Sequence, residues 1–558
     1  MLLSLKIQDK SFNNHQLFKH LEIVIQDHEK IGLIGRNGAG KSSLLNILNQ
    51  QDKDYDGDLT IKNHAIIISS RQEHHAFNNL TVLEYIVHDL PEYISLNDSI
   101  ERLSLKIKTD PSKIQQLSDQ INRFSDLDYY RVQENIQQIL NNYHLDSNVI
   151  NRRLNSLSGG QVRLIELIKV QLSHSDLALI DEPTNHMDYI AKNVFIDWFK
   201  STTSAVVVVT HDRDVLNQVD RIIEIKNLTN YNFKGNYQSY LKNNMSKTLS
   251  EISTYDLTQK QIKNLRSDVI RFRRLKERSR DPGTIKNFKR LENNSEKELE
   301  ELLMIDKPSF WIDQTSIQTL NDKITNSYHK YKTTNIKLSV EQHQSNSIQT
   351  ILTIEKLSLG YNQSPLFKNL TFSLLAGQRL RLFGKNGAGK SSLVKVIMQL
   401  SNHQKEVNDI ILSGKISIKP KLKIGLYEQE INQQYLDLTL ENAIENILKS
   451  KHLPVSDQRI KQLMNEYLFD PSNDSHQLVK ILSGGQKARL QLMSMLIDQP
   501  QLLILDEPTN HLDLPSIEEL ENSLIKYNGS IIYITHDSFF AKKIDSTMIN
   551  MDNLSVNQ

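Results

Sequence analysis

Cysteine is absent from all 558 residues, which excludes disulfides, thiolate metal sites and iron–sulfur clusters. A dominant charge is absent too: 67 Lys and Arg stand against 66 Asp and Glu, a net charge of +1. Affinity for a polyanion must therefore come from local clustering rather than from the total. No uninterrupted apolar run approaches the ~20 residues of a membrane-spanning helix. Met1-Leu2-Leu3-Ser4-Leu5-Lys6 reads as an opening strand rather than a leader. The expectation is a soluble, cytoplasmic chain without membrane contact. Its length exceeds one domain and suits two domains of about 200 residues plus extra material.

What is present is present twice. Gly35-Arg36-Asn37-Gly38-Ala39-Gly40-Lys41-Ser42 and Gly384-Lys385-Asn386-Gly387-Ala388-Gly389-Lys390-Ser391 are two G-x-x-x-x-G-K-S phosphate loops, followed by Ser43 and Ser392. Each precedes Leu-Ser-Gly-Gly-Gln, at Ser158, Gly159, Gly160 and Gln161 and again at Ser483, Gly484, Gly485 and Gln486. An apolar strand then ends in Asp-Glu-Pro-Thr-Asn-His, at 181–186 and 506–511. In each loop the glycines let the backbone curl, so that its N–H groups and a helix N-terminus face phosphate. Lys41 and Lys390 would neutralise β- and γ-phosphate charge, and Ser42 and Ser391 would ligate Mg²⁺.

The runs Leu177–Ile180 and Leu502–Leu505 suit buried parallel strands that deliver Asp181 and Asp506 beside the metal. Glu182 and Glu507, one residue on, can orient and deprotonate an attacking water. His211 and His536, each ending a further β-rich run, can sense the γ-phosphate. Gln72 and Gln429, each after a short strand pattern, would complete metal and water coordination. Motifs in this order resemble an ATP-binding cassette protein with two cassettes. The resemblance implies that each Leu-Ser-Gly-Gly-Gln closes over the nucleotide of the opposite cassette. Lys41, Ser42, Gln72, Glu182 and His211 would then share one ATP with Ser483, Gly484 and Gly485. Lys390, Ser391, Gln429, Glu507 and His536 would share the other with Ser158, Gly159 and Gly160. Phe12 and Tyr361 stand where the superfamily stacks adenine. The implied fold is α/β, with tandem P-loop cassettes forming an intramolecular dimer in a monomeric chain.

Spacing separates the copies. Lys41 to Gln72 spans 31 residues and Lys390 to Gln429 spans 39, whereas Gln72 to Ser158 spans 86 against 54 from Gln429 to Ser483. The first cassette therefore carries about 32 extra residues within about 88–142. There Ile100, Leu103, Leu105, Ile107, Ile114, Leu117, Ile121 and Phe124 have helical spacing with polar faces, which predicts a helical insertion on the surface. The domains are expected at 1–230, 231–345 and 346–558.

From Gly235 to about Met304 the pattern is polar and helical, with Asp281-Pro282-Gly283 as its turn mark. This predicts a long antiparallel helical hairpin with its tip near 279–286. The outgoing helix would run about 237–278, ~60 Å at 1.5 Å per residue. The return is expected over 287–305 and 313–332, broken at Lys307-Pro308. Residues 260–290 hold twelve basic and three acidic side chains, including Arg271, Arg273, Arg274, Lys276, Arg278, Arg280, Lys286, Lys289 and Arg290. One-signed charge of that density repels itself unless polyanion phosphates neutralise it, and Phe288 within it can pack on bases or sugars. RNA is the expected partner.

Two cassettes joined by a basic hairpin resemble the ABC-F family, over almost the whole chain. The resemblance implies binding of the 70S ribosome at the tRNA exit site, with large-subunit rRNA and tRNA as neighbours and the linker directed toward the peptidyl-transferase centre. The long linker and small insertion look most like the Vga, Lsa and Sal type antibiotic-resistance proteins, the staphylococcal Sal type above all. Those displace pleuromutilins, lincosamides and streptogramin A by target protection. A housekeeping ABC-F translation factor would carry the same residues. A transporter ATPase would share the cassette motifs but has no use for such a hairpin.

Overall fold

The structure, a computed structural model, describes residues 1–12, 15–71, 74–107, 110–185, 187–303, 349–361, 364–401, 410–428, 431–510 and 512–554. It forms two compact units, one holding both cassettes and the other the segment that begins at Gln238.

Each cassette is built around a mostly parallel sheet. In the first, the strand order is Ile67–Ser69, Leu177–Asp181, Ala205–Val209, Lys30–Gly35, Arg221–Lys226 and Thr229–Lys234, the last pair antiparallel. In the second it is Ile424–Tyr427, Leu502–Asp506, Ser530–Ile534, Arg379–Phe383 and Thr547–Asn550. Every residue of the two central runs Leu177–Asp181 and Ala205–Val209 is buried, as expected of strands covered on both faces. Parallel register sets Asp181 beside Val209 and Val209 beside Leu33, so the phosphate loop, Asp181 and His211 meet at one sheet edge. Asp506, Ile534 and Leu382 repeat the row. A three-stranded antiparallel sheet covers each phosphate-loop helix: Leu3–Phe12, His15–Ile25 and Asp56–Ile61 in the first cassette, Thr350–Tyr361, Ser364–Leu375 and Ile411–Ile418 in the second.

The helix Lys41–Leu48 has no side-chain cap and no acidic residue in its first turn. Omitting a cap costs about 1 kcal/mol. Leu44, Leu45, Ile47 and Leu48 are buried in one core with Leu3, Leu5 and Val207, at about 1.5–3 kcal/mol for each side chain. Burial therefore holds the helix, and its first N–H groups stay free to meet an anion. Gly40 (φ +88°) and Gly389 (φ +86°) sit in left-handed backbone, and a Cβ there would lie 2.7 Å from Phe18 and 2.8 Å from Phe367. Only glycine satisfies both constraints.

The insertion of the first cassette is helical, with helices Tyr93–Lys106, Ile114–Asp126 and Val132–Asn142. Its core differs from the aliphatic pattern in the sequence. Leu105, Ile114 and Ile121 are exposed, whereas Phe124 packs against Tyr93 and Tyr129 with ring centroids 5.4 Å away in each case.

The helix Tyr237–Arg278, all but its first residue in the second unit, runs for 42 residues, ~60 Å. The return helix spans Pro282–Leu303, so it starts five residues before the expected 287 and the connection shrinks to 279–281. The reason is local: Pro282 takes the first helical position, and the Asp281 carboxylate accepts from Thr284 N at 2.7 Å and Thr284 Oγ1 at 2.6 Å. The expected second part of the return, 313–332, lies outside the described residues.

Candidate nucleotide sites and nucleic-acid interface

Lys41 Nζ donates to Gly35 O at 2.7 Å and Arg36 O at 3.1 Å, which fastens the lysine across the mouth of its loop. Lys390 makes the same pair of bonds, to Gly384 O at 2.5 Å and Lys385 O at 2.8 Å. Ser42 Oγ donates to Asp181 Oδ2 at 2.8 Å, and Ser391 hydrogen-bonds Asp506. Glu182 (φ +46°) and Glu507 (φ +49°) both hold left-handed backbone, a conformation that costs about 1–3 kcal/mol for a non-glycine residue. Their N–H groups donate to Val209 O at 2.8 Å and Ile534 O at 3.0 Å, which keeps each carboxylate turned toward its cavity. His211 Nε2 stands 3.6 Å from Glu182 Oε1, and His536 Nε2 stands 3.5 Å from Glu507 Oε1.

The electrostatics follow from loss of hydration. Burial, and next the neighbouring Asp181 or Asp506, push Glu182 and Glu507 up to about 8, against the pull of Lys41 or Lys390. Burial, then Lys41, lowers His211 to about 3, and burial, then Lys390, Arg381 and Lys192, lowers His536 to about 3. Both shifts favour the neutral form of the two imidazoles, which can hydrogen-bond a ligand without adding charge. All four of their ring nitrogens are buried without a hydrogen-bond partner in the protein, as suits groups that meet a polar ligand.

The two cavities differ. The first, about 1020 Å³, is lined by Phe12, Asn37, Lys41, Glu182 and His211 of the first cassette and by Ser483, Gly484 and Gly485 of the second. A Cβ on Gly485 would lie 2.1 Å from Asn37 Nδ2, so the facing loop approaches as closely as glycine allows. The second, about 200 Å³, is lined by Tyr361, Lys390, Ser391, Asp506, Glu507 and His536, with Met187 from the first cassette. Ser158, Gly159 and Gly160 are not among its lining, contrary to the symmetric expectation; Gly159 instead lines the first cavity, in its own cassette. The neighbours of Met187 reach the second phosphate loop and its strand. Asp188 Oδ2 accepts from Asn386 N at 2.9 Å, and the Tyr189 ring stacks on Phe383 at 4.7 Å. The matching Asp513 lies 3.8 Å from Arg36 Nε.

Phe12 is 60% exposed and Tyr361 48%, and each lines its cavity, the placement of a stacking platform. Gln161 and Gln486 close capping boxes with Ser158 and Ser483, so their side chains serve the helix ends Gly159–Leu172 and Gly484–Leu496. Gln72 and Gln429 lie outside the described residues. Asp188, Asp513, Arg163 and His74 escape the sequence reading although all stand at these sites. The repeated Asn-His-Met-Asp and Asn-His-Leu-Asp at 185–188 and 510–513 held the signal for the aspartates. A hydroxyl and a carboxylate, as at Ser42 and Asp181, suit Mg²⁺. Among the described residues no three His, Cys, Asp or Glu side chains form a group that could hold a metal ion.

On the hairpin, two of the nine cations at 271–290 named above are spent internally. Arg273 pairs with Glu292 at 3.0 Å and Glu296 at 2.9 Å, and Lys276 pairs with Glu292. The expected self-repulsion is thus partly relieved within the hairpin. Among the described residues no carboxylate pairs with Arg274, Arg278, Arg280, Lys286 or Lys289, and all five are exposed. Phe288 is half-buried.

Comparison with known proteins agrees with this geometry. The ABC transporter family model matches residues 18–185 and 367–510, and a second ABC transporter model matches 223–317. The chain is 27% identical over 569 residues to the putative ATP-binding protein YdiF of Bacillus subtilis, covering 100% of this chain and 81% of the relative. It is 24% identical to the ribosome protection protein VmlR of the same organism, covering 96% and 84%. Among solved structures, that of archaeal ribosome recycling factor aABCE1 with stalk protein aP1 matches with a TM-score of 0.56 at 16% identity, over 97% of this chain and 86% of that one, a likeness of fold. No helix among the described residues is long and apolar enough to cross a membrane. The cassettes are those of an ATPase that uses ATP with Mg²⁺. With its family model matched across both cassettes, the chain belongs to the ABC transporter family.

Proposed function

We propose that this protein is an ABC-F type ATPase of the cytoplasm that binds the bacterial 70S ribosome at the tRNA exit site and protects the peptidyl-transferase centre from pleuromutilins, lincosamides and streptogramin A. The observation that carries the reading is the set of five exposed cations at the hairpin tip that pair with no carboxylate among the described residues, in a chain with two phosphate-loop sites. Cations without protein partners are available to rRNA phosphates, and that attraction is sequence-tolerant and salt-dependent. The relative named as a ribosome protection protein, aligned over 96% of this chain, supports the same partner.

At each nucleotide site, Glu182 and Glu507 orient the attacking water and take its proton as carboxylates, a form that burial opposes and that Lys41 or Lys390 favours, as a bound Mg²⁺ would; His211 and His536 hydrogen-bond the γ-phosphate. Ser42 with Asp181, and Ser391 with Asp506, would hold Mg²⁺, which would supply charge neutralisation at the phosphates. Phe12 and Tyr361 carry the adenines. Ser483, Gly484 and Gly485 grip the first nucleotide, and Ser158, Gly159 and Gly160 reach the second in a tighter arrangement of the cassettes. ATP favours the joined cassettes and ribosome binding, and hydrolysis releases the protein. Expression in a susceptible strain tests the protective role: minimal inhibitory concentrations of the three drug classes should rise several-fold. Unchanged drug sensitivity, with translation altered in drug-free cells, contradicts protection and fits a housekeeping factor.

A further inference from the structure

Behind the second nucleotide site lies another cavity between the cassettes, about 420 Å³ in volume. His536 is the wall the two share, since it lines this cavity and the one that holds Lys390 and Ser391. Arg381, Phe383 and Lys542 line it from the second cassette, Tyr189 and Lys192 from the first. The one acid in the lining, Asp214, is already bound by Lys192 Nζ at 2.6 Å and Ser538 Oγ at 2.8 Å.

Arg381 is the unexplained group. It is half-buried, lies over the Phe383 ring at 4.8 Å and donates once, to Thr535 O at 2.9 Å. Its Nε is buried without a partner, and among the described residues no carboxylate forms an ion pair with it. Burial lowers its pKa, and the Phe383 ring, the Thr535 carbonyl and the charges of Glu507 and Asp537 offset that desolvation only in part. Filling space does not require it. Matched by motif spacing, the first cassette has Gly32 where Arg381 stands and Leu216 where Ala541 stands. A Cβ on Gly32 would lie 2.8 Å from Leu216 Cδ2, so an aliphatic side chain fills that place at no electrostatic cost. The second cassette has exchanged glycine and leucine for arginine and alanine, which puts a cation beside an open volume. Lys542 adds a second, exposed cation at the rim.

We propose that this cavity is an oxyanion site that receives the inorganic phosphate cleaved at the second nucleotide site, passed along His536 to Arg381 and Lys542. Planar guanidinium donors suit a tetrahedral oxyanion, and Arg381 and Lys542 share with His536 the cavity that Lys390 does not line. Equilibrium dialysis of labelled inorganic phosphate against the full chain loaded with ADP tests the site. Arg381→Met, which keeps the volume without the charge, should weaken phosphate binding by about tenfold, and the surface change Lys542→Ala by about threefold. In a single turnover of γ-labelled ATP, both variants should leave bond cleavage within about twofold of the parent while phosphate release slows several-fold. Phosphate binding equal in parent and variants overturns the site. Weakened binding with unchanged release overturns the product assignment, since the site would then fill from solution.

Discussion

Glu182 and Glu507 sit in backbone that costs free energy, next to a second carboxylate and facing a neutral histidine. Changing both to Gln removes the base and keeps the shape. ATP cleavage, followed as phosphate release, should fall by about 10²–10⁴-fold, with ATP still retained; turnover within threefold of the parent contradicts their role. Gly485 makes a second point, since its absent Cβ leaves room for Asn37. Gly485→Ala should lower turnover without shifting the melting temperature, and Asn37→Gly should restore part of the loss; additive losses in the double variant contradict a direct clash. These residues were legible because phosphate binding imposes short-range rules: glycine where the backbone curls, lysine and serine at the helix start, acids at a strand end. Asp188 and Asp513 were not, because each also caps its own helix, accepting from Ala191 N at 2.9 Å and Ser516 N at 3.1 Å, and an aspartate before a helix reads as a cap.

Among the elements, the helix Gly159–Leu172 carries a buried ionic cluster that the second cassette lacks. Glu166, fully buried, accepts from Arg71 N at 2.7 Å, Lys169 Nζ at 2.9 Å and the Tyr85 hydroxyl, and Lys169 also reaches Asp89 at 3.0 Å. The matching positions in the second cassette are Gln491 and Ser494. Burial alone would raise the Glu166 carboxyl, but His74, whose Nε2 lies 3.1 Å from Oε1, and the charge and hydrogen bond of Lys169 outweigh it and hold it at about 2. A lowered carboxylate stabilises the fold above its unfolded value, and that contribution fades as pH falls through the folded one. Glu166→Gln should therefore destabilise the first cassette by about 3–5 kcal/mol near pH 7, and the gap in melting temperature should narrow from pH 5 to pH 3. A gap that does not change with pH contradicts this assignment.

The hairpin tip calls for a different measurement. Alanine at Arg274, Arg278, Arg280, Lys286 and Lys289 together should weaken ribosome binding and reduce the slope of log affinity against log salt by roughly three to five. Arg273→Ala should mainly loosen the hairpin, because its charge is spent on Glu292 and Glu296; equal effects on the salt slope contradict the division. The hairpin and its turn were legible from Pro-Gly in a tract without other breakers. The return helix starts earlier than Pro-Gly as a turn mark predicts, because Pro282 also suits the first helical position and Asp281 with Thr284 supplies the cap.

At the scale of the molecule, duplication in the sequence suggested two equivalent sites, and the structure makes them unequal. The first has a facing signature loop, whereas the second borders Met187 and Asp188 and backs onto a cationic cavity. Repeated motifs convey the chemistry of each half, but the pairing of halves depends on side chains outside the motifs, such as Tyr189 on Phe383 and Arg213 with Glu521 at 2.5 Å. The central claim is that ATP held by the paired cassettes keeps a cationic hairpin on ribosomal RNA until hydrolysis. Sedimentation of the Glu182→Gln, Glu507→Gln variant through a cushion with 70S ribosomes is the direct test. The account predicts that the variant pellets with ribosomes in ATP and stays in the supernatant without nucleotide; a variant that fails to pellet in ATP contradicts it.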